Sequence, residues 1–185
     1  MATIVHETGK EEVPMKLLFV EGYTHEGGNT AKLSDRVLDA LRAKGHEVMT
    51  TGLRDRRIGD CRNCGGCTDS HRCVQNDDMT PLYDKVAAAE GIILTTPVYM
   101  WGMTAGTKAF LDRLYAVTDS LEDKRIGLVV TAGSDAFSGC DLVVQCVQRF
   151  ADYFGMDMAD TLYAAPANDG VSDAQVEKFV DQFSL

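Results

Sequence analysis

The chain alternates between short apolar runs and longer stretches in which apolar residues recur every three or four positions. Five short segments predict strands, and the clearest of them, such as residues 92–94, are continuous apolar runs typical of strands buried on both faces. A segment of this kind begins soon after Pro14. The predicted strands are residues 16–21, 47–51, 91–96, 126–131 and 161–165.

Amphipathic stretches between these strands, and one after the last, predict five helices. Asp77 and Asp78 stand at the start of the second, where acidic side chains suit the helix dipole. Ser172 and Gln175 form a capping-box pattern at the start of the last. Strands that alternate with helices predict an α/β fold, a doubly wound parallel sheet with helices on both faces. We expect one domain over residues 15–185 that carries a cysteine-rich loop at 59–76. Residues 1–14 are expected to form a tail or an arm packed on a partner subunit.

Charge and composition narrow the classes of function. The formal net charge of −10 argues against a nucleic-acid or anionic-membrane binder, because both partners favour a basic face. No apolar run is long enough to span a membrane, and residues 1–14 lack the basic start and apolar core of a signal peptide. We therefore expect a cytoplasmic protein whose thiols stay reduced. In that setting the 6 cysteines are more typical of ligands, redox groups or small buried side chains than of disulfides.

Four cysteines share one short polar loop with the spacing C-x2-C-x2-C-x5-C: Cys61, Cys64, Cys67 and Cys73. Gly65 and Gly66 permit the tight backbone that this spacing requires. A compact group of four thiolates is typical of a 4Fe–4S cluster. It suits zinc less well, because structural zinc sites usually have two well-separated ligand pairs. Free thiols, oxidised thiols and a zinc site remain the alternatives. Cys140 and Cys146 have no ligand spacing with the loop and are interpreted as structural.

Three loops follow the first, third and fourth predicted strands: residues 22–30, 97–103 and 132–139. In a sheet of order 2-1-3-4-5 they would face one another across one crevice, where such sheets bind ligands. Gly28-Asn29-Thr30 at a helix start is typical of an anion-binding or phosphate-binding site. An ordinary strand-to-helix turn has the same pattern. Tyr99 and Trp101 in the second loop suit a planar heteroaromatic ring. They also suit a subunit contact.

Several motifs together resemble the iron–sulfur flavoproteins, a branch of the NADPH-dependent FMN reductase-like proteins. They are Gly28-Asn29-Thr30, the cysteine loop running into Asp77-Asp78-Met79, Thr96-Pro97-Val98-Tyr99, and Lys108-x-Phe110-x-Asp112-Arg113. The resemblance covers roughly residues 15–165. It implies a flavodoxin-like sheet of five parallel strands in the order 2-1-3-4-5 and FMN held non-covalently. It also implies a homodimer or a dimer of dimers, and a 4Fe–4S cluster in the loop after the second strand.

The resemblance also assigns roles to residues. The first loop would hold the FMN phosphate, the second would flank the flavin ring, and the third would contact its other edge. The four loop cysteines would be the cluster ligands. Tyr23-Thr24-His25 departs from the Ser-Pro-Arg common in the family, which leaves Thr24 or Thr30 to supply a phosphate hydroxyl. The expected FMN contacts are Tyr23, Thr24, Gly28, Asn29, Thr30, Pro97, Val98, Tyr99, Met100, Trp101, Gly102, Ala132, Gly133 and Ser134.

The expected function is an FMN-dependent oxidoreductase or electron carrier with a 4Fe–4S cluster. No catalytic side chain is expected, because the chemistry would lie with the cofactors. By resemblance, electrons would come from a ferredoxin-like donor or NAD(P)H and pass to a small acceptor such as oxygen, peroxide or a quinone. Two alternatives stay open. One is a cluster-free NAD(P)H-dependent flavin or quinone reductase, and the other is a zinc-bound, non-enzymatic binding module on the same scaffold.

Overall fold

The computed structural model describes residues 13–134, 139–165 and 170–184. Most of the predicted N-terminal tail lies outside the described residues, as do Asp135 of the third loop and Pro166 after the last predicted strand.

The described strands form one parallel sheet of the predicted order. Its path is β2-β1-β3-β4-β5, and β6 also pairs with β4. The doubly wound prediction is therefore confirmed. The strands are β1 Lys16–Glu21, β2 Glu47–Gly52, β3 Gly91–Pro97, β4 Arg125–Thr131, β5 Asp157–Met158 and β6 Leu162–Ala164.

The sequence predicted one strand, residues 161–165, at the fifth position of the sheet, and this prediction is wrong in its bounds. It consists of two short pieces: β5 pairs with Arg125 and Ile126, and β6 pairs with the last three residues of β4. Between them the N–H of Asp160 donates to Gln182 Oε1 at 2.7 Å. A backbone donor engaged by a side chain cannot join the sheet ladder, so the edge strand is interrupted there.

Five α-helices surround the sheet within the part of the chain that the structure describes. A 3₁₀ helix, Leu114–Ser120, continues the third, and another, Asp181–Phe183, continues the last. The capping box of Ser172 and Gln175 is confirmed. None of the described helices is long and apolar enough to cross a membrane. The helices are α1 Asn29–Ala43, α2 Thr80–Ala88, α3 Ala105–Arg113, α4 Asp141–Phe154 and α5 Asp173–Val180.

The sheet buries both faces, as its continuous apolar runs predict. Successive residues of β1 point to opposite faces, so Leu18 and Leu17 belong to different cores. The first core packs against α2, α3 and α4, and the second against α1 and α5. The loops of interest begin at the carboxyl ends of β1, β3 and β4. The first core includes Leu18, Val20, Ile92, Leu94, Leu82, Phe110 and Val147. The second includes Leu17, Phe19, Ile93, Val129, Val37 and Phe179.

Candidate functional site

The loops after β1, β3 and β4 meet at the carboxyl edge of the sheet. The N–H of Gly22, directly after β1, donates to Thr95 O at 2.7 Å. The N–H of Val98, directly after Pro97 at the end of β3, donates to Thr131 O at 2.8 Å. These bonds hold the three loop starts side by side, so the structure brings together the segments that the sequence predicted to share a crevice.

The first loop reaches the start of α1 at Gly28. Gly28 offers no side-chain cap to the helix, so an anion can take that role at the positive end of the helix dipole. The ring of His25 lies against this point, since a Cβ on Gly28 would stand 2.9 Å from His25 Nε2. The Tyr23 hydroxyl instead donates to Glu21 Oε1 at 2.9 Å. Burial raises the pKa of Tyr23, and this hydrogen bond adds to the rise.

The two threonines expected to offer phosphate hydroxyls are both engaged by other hydroxyls. Thr30 is buried, and its Oγ1 lies 2.6 Å from Thr131 Oγ1, so it ties the start of α1 to the end of β4. Thr24 is exposed, and its Oγ1 lies 2.7 Å from the Tyr99 hydroxyl, so it ties the first loop to the second. Asn29, the first residue of α1, is exposed at the same edge.

The second loop makes a tight two-residue turn with unusual backbone angles. Tyr99 and Gly102 exchange backbone hydrogen bonds of 2.8 and 3.0 Å. Met100 and Trp101 between them have φ values of 48° and 61°, a region that costs non-glycine residues on the order of 1–3 kcal/mol each. Met100 is 86% exposed and Trp101 57% exposed. Strained backbone that presents large apolar side chains to solvent is typical of a site for a ligand or a partner.

A buried threonine network, which sequence reasoning missed, fixes the first two loops to each other. Thr104 caps α3, with its Oγ1 accepting from the N–H of Thr107 at 3.3 Å. The same hydroxyl donates to Gly22 O at 2.7 Å, and the N–H of Thr104 donates to Thr96 Oγ1 at 3.2 Å. The available signal was Thr-x-x-Thr at a helix start, a capping pattern whose third partner lies far away in sequence.

The third loop is described at residues 132–134 and at Gly139. Ala132 is buried, and its N–H donates to Ala164 O at 3.1 Å. Gly133 and Ser134 are exposed next to the converging loops. Residues 135–138 of this loop lie outside the described residues.

The four loop cysteines line one cavity. It has a volume of about 130 Å³, and Tyr115 forms part of its wall. All four thiols are free; Cys61 and Cys64 are exposed, and Cys67 and Cys73 are half-buried. Burial raises the pKa of the Cys67 thiol, and the other three thiols add to the rise. The thiols are thus near neighbours, although no group of three or more His, Cys, Asp or Glu side chains within the described ranges is arranged to hold a metal ion.

Left-handed backbone also marks the cysteine loop. Asn63 and His71 have φ values of 47° and 50°, and Gly65 has 68°. His71 pairs with an acidic side chain outside the loop, and its Nδ1 lies 3.2 Å from Asp119 Oδ2. Repeated tight turns bring together around one cavity cysteines that have two to five residues between them in the sequence.

A buried ion pair closes the base of this loop. From the sequence alone, the adjacent opposite charges of Asp112 and Arg113 suggest a structural ion pair or a subunit contact. Arg113 instead binds Asp77, through Nη1–Oδ2 at 2.7 Å and Nη2–Oδ1 at 3.1 Å. Asp112 pairs with Lys108 at the surface. Helix geometry explains this pairing, since adjacent residues do not face each other and residues four apart do.

The family model of the NADPH-dependent FMN reductases matches residues 15–169, most of the 185-residue chain. The chain belongs to this family. The resemblance drawn from its motifs is therefore confirmed, and this FMN reductase-family protein is a flavin-dependent oxidoreductase with FMN as its cofactor.

Individual relatives agree with the family. An iron-sulfur flavoprotein from Methanosarcina thermophila is 31% identical over 145 residues, which cover 77% of this chain and 75% of the relative. An iron-sulfur flavoprotein from Archaeoglobus fulgidus is 36% identical over 122 residues, covering 64% of this chain and 56% of the relative. The structure of an NAD(P)H:quinone oxidoreductase from Methanothermobacter marburgensis aligns with a TM-score of 0.67 at 11% identity, covering 92% of this chain and 94% of that one. The last similarity concerns the fold.

Proposed function

We propose that FMN binds at the carboxyl edge of the sheet, across the loops that follow β1, β3 and β4. The observation that carries this proposal is the convergence of an uncapped helix start and a strained aromatic turn at one edge. Gly28, Asn29 and the His25 ring would hold the phosphate. The turn from Tyr99 to Gly102 would hold the flavin ring. The Thr24–Tyr99 hydroxyl pair, 2.7 Å apart, joins these two halves of the site.

Thr24 and Thr30 were both expected to offer a hydroxyl to the FMN phosphate, and the proposed site gives them different roles. Thr30 serves the site indirectly, since its buried hydroxyl fixes α1 against Thr131. A hydroxyl has one proton and two lone pairs, so exposed Thr24 can still meet an anion while it bonds to Tyr99. His25 stands near the position where the family often has arginine. Its ring therefore supplies the polar side chain that the Tyr23-Thr24-His25 departure left in doubt.

We further propose that Cys61, Cys64, Cys67 and Cys73 hold a 4Fe–4S cluster. Two observations support it: four free thiols around one cavity, and the iron–sulfur names of the relatives. Thiolates around a single zinc ion lie about 3.8 Å apart, given a Zn–S distance of about 2.3 Å. A multi-iron cluster holds its ligands farther apart, which suits four cysteines that line one cavity.

The proposed activity is electron transfer between a reduced donor and a small acceptor. Flavin exchanges electrons in pairs or singly, and an iron–sulfur cluster passes one at a time. NAD(P)H or a ferredoxin-like protein is the proposed donor, and oxygen, peroxide or a quinone the acceptor. The proposed location is a reducing compartment such as the cytoplasm, where exposed thiols stay reduced. The proposed assembly is a homodimer or a dimer of dimers.

A cluster-free NAD(P)H-dependent flavin or quinone reductase is the second candidate. The description of the family as NADPH-dependent FMN reductases supports it, as does a relative named as an FMN-dependent NADH:quinone oxidoreductase. The zinc-bound, non-enzymatic alternative receives no support, because the chain belongs to a family of FMN reductases.

Trp101→Ala tests the flavin site. We expect about tenfold weaker FMN binding, because an aromatic ring pair contributes about 0.5–1.5 kcal/mol beyond its buried area. Quenching of flavin fluorescence during titration of apoprotein measures the affinity. Tyr153→Ala is the control, since Tyr153 is an exposed aromatic near the end of α4. Equal affinities for Trp101→Ala and wild type would place the ring elsewhere.

Cys61→Ser separates the two redox candidates. Anaerobically reconstituted wild type should hold about four irons and four sulfides per chain, with cluster absorbance that dithionite bleaches. We expect Cys61→Ser to lose most of this iron and to keep FMN. Cys146→Ser, a half-buried position on α4, should keep both. A wild type that binds FMN and retains no iron would identify the cluster-free reductase.

A further inference from the structure

A cavity of about 600 Å³ opens at the base of the cysteine loop, and the proposed function does not use it. Its volume is typical of pockets for small molecules, which measure about 300–1,000 Å³. The chain on both sides of the loop cysteines forms its wall, which consists of residues 56–59, Arg62 and residues 74–77.

Three arginines of this wall gather positive charge on a chain whose formal net charge is −10. They are Arg56, Arg57 and Arg62. Asp77 is the only acidic residue of the wall, and both oxygens of its carboxylate already bind Arg113, at 2.7 and 3.1 Å. In the described parts of the chain, no carboxylate forms an ion pair with any of the three arginines. The cavity is therefore a local positive site that attracts anions.

Hydrogen bonds that involve the main chain hold two of these arginines in place before any ligand binds. Arg56 Nε donates to Gly52 O at 3.0 Å, which directs the guanidinium and leaves its Nη groups able to donate. The backbone N–H of Arg57 donates to Asp78 Oδ2 at 2.7 Å, so this carboxylate fixes the main chain and not the guanidinium. Groups that are already fixed lose less conformational freedom when a ligand binds.

The same wall borders the cavity of the four loop cysteines. Arg62, Val74 and Gln75 line both cavities. Gln75 Nε2 donates to Asp60 O at 2.9 Å, so it joins the chain before the first loop cysteine to the chain after the last. A ligand held by Arg62 would therefore contact the cysteine loop itself.

We propose that this cavity binds a small phosphorylated molecule and that Arg56, Arg57 and Arg62 hold its phosphate oxygens. A guanidinium presents its donors in a planar fork that matches phosphate geometry. The half-buried Ile58 and the exposed Val74 offer apolar surface to the rest of the ligand. The site shares no residue with the phosphate site proposed for FMN, and it requires neither FMN nor a cluster. Two sources have this chemistry: the phosphates of a nicotinamide dinucleotide, and another phosphorylated metabolite.

Arg57→Gln tests the proposal, because it removes one charge at an exposed position. Inorganic pyrophosphate is the probe, and the protein is loaded with FMN so that the proposed phosphate site at the start of α1 is filled. We expect pyrophosphate to bind about tenfold more weakly, the loss typical of one hydrogen bond to a charged group. Isothermal titration calorimetry measures the affinity. Arg62→Gln should have the same effect. Arg42→Gln, at an exposed position in the last turn of α1, is the matched control and should bind as wild type does.

Competition identifies the source of the phosphate. NADP⁺ and NAD⁺ differ by one phosphate, and neither reduces FMN. Displacement of pyrophosphate by NADP⁺ alone would assign the site to the 2′-phosphate. Displacement by both would assign it to the diphosphate that they share, and displacement by neither would assign it to another phosphorylated molecule. Each of these results supports the arginine site.

Two results would overturn the proposal. One is an FMN-loaded wild type that binds no pyrophosphate. The other is a pair of folded variants, Arg57→Gln and Arg62→Gln, that bind it as tightly as wild type; circular dichroism checks their fold. Failure of the proposed flavin site is a separate result. A protein that has no affinity for FMN, but whose pyrophosphate binding still depends on Arg57, would retain the arginine site.

Discussion

Asp77→Asn should lower the free energy of unfolding by about 3–5 kcal/mol, the usual result of removing one partner of a buried ion pair. The carboxylate binds both Nη atoms of Arg113 and accepts from the N–H groups of Gly59 and Met79. The amide of asparagine keeps one oxygen, places an NH₂ group against donors, and leaves the Arg113 charge buried without a counter-charge. Urea denaturation of the reduced apoprotein at neutral pH measures the loss.

Asp112→Asn is the matched control for this prediction. Its carboxylate pairs with Lys108 at 2.6 Å, with the two side chains 43% and 50% exposed. Exposed pairs of this kind contribute about 0.3–0.5 kcal/mol. Equal losses from Asp77→Asn and Asp112→Asn would mean that the Arg113 pair does not anchor the loop.

Acid should remove the difference between wild type and Asp77→Asn. Burial works to raise the pKa of Asp77, but the Arg113 guanidinium and the N–H groups of Gly59 and Met79 hold it below its usual range. A carboxyl whose pKa is lower in the folded state stabilises that state above its ordinary pKa of about 3.9. This contribution falls as the pH drops through the folded-state pKa. Urea midpoints for the two proteins should therefore converge as the pH falls below about 4.

The pairing of Arg113 shows what a single sequence could and could not predict at this site. The cysteine spacing is local, so the sequence was enough to predict that the four thiols share one loop. Arg113 and Asp77 lie 36 positions apart, and only the packing of α3 against the loop base brings them together. The acidic neighbour at 112 suggested a local pair, but in a helix it points to another face.

The hydrogen-bond partners of the hydroxyls in the proposed flavin site could not be predicted from the sequence either. The sequence predicted a loop of the right composition at the start of α1, and the structure places that loop beside the other two. The hydroxyl of Thr30, however, meets Thr131 across 101 positions. Whether a side chain faces a ligand or a neighbouring strand depends on strand register, which the pattern of apolar residues leaves open.

The sheet was more predictable than its edge. Buried runs such as β1 and β3 have continuous apolar residues, and their parallel order follows from the alternation with helices. The last strand pairs on one side with β4 and is divided near Asp160, whose N–H binds the side chain of Gln182. A contact between a backbone group and a distant side chain has no periodic signal, so the interruption could not be predicted.

Gly22→Ala should destabilise the fold by about 3 kcal/mol and weaken FMN binding with it. A Cβ at this position would lie 2.0 Å from Thr107 Oγ1 and 2.5 Å from Thr95 O. Thr95 O is backbone of β3 and cannot rotate away, and the Thr107 hydroxyl is held 2.8 Å from Thr104 Oγ1. The first loop must therefore move away from α3, at the usual overpacking cost of about 1–3 kcal/mol. That movement also breaks the 2.7 Å bond from Thr104 Oγ1 to Gly22 O.

Gly106→Ala is the control, because its expected change in stability has the opposite sign. Gly106 lies in α3, and its added Cβ would make one ordinary contact, 3.6 Å from the Cβ of Leu53. Alanine is favoured over glycine inside a helix by about 1 kcal/mol, so we expect a small gain in stability and unchanged FMN affinity. Urea unfolding and FMN titration of both variants give the comparison. Two outcomes would contradict the Gly22→Ala prediction. If Gly22→Ala is as stable as wild type, the first loop has room beside α3, and the threonine network does not set the position of that loop. If it loses stability while FMN affinity stays the same, the network supports the fold and the flavin site is independent of the position of Gly22.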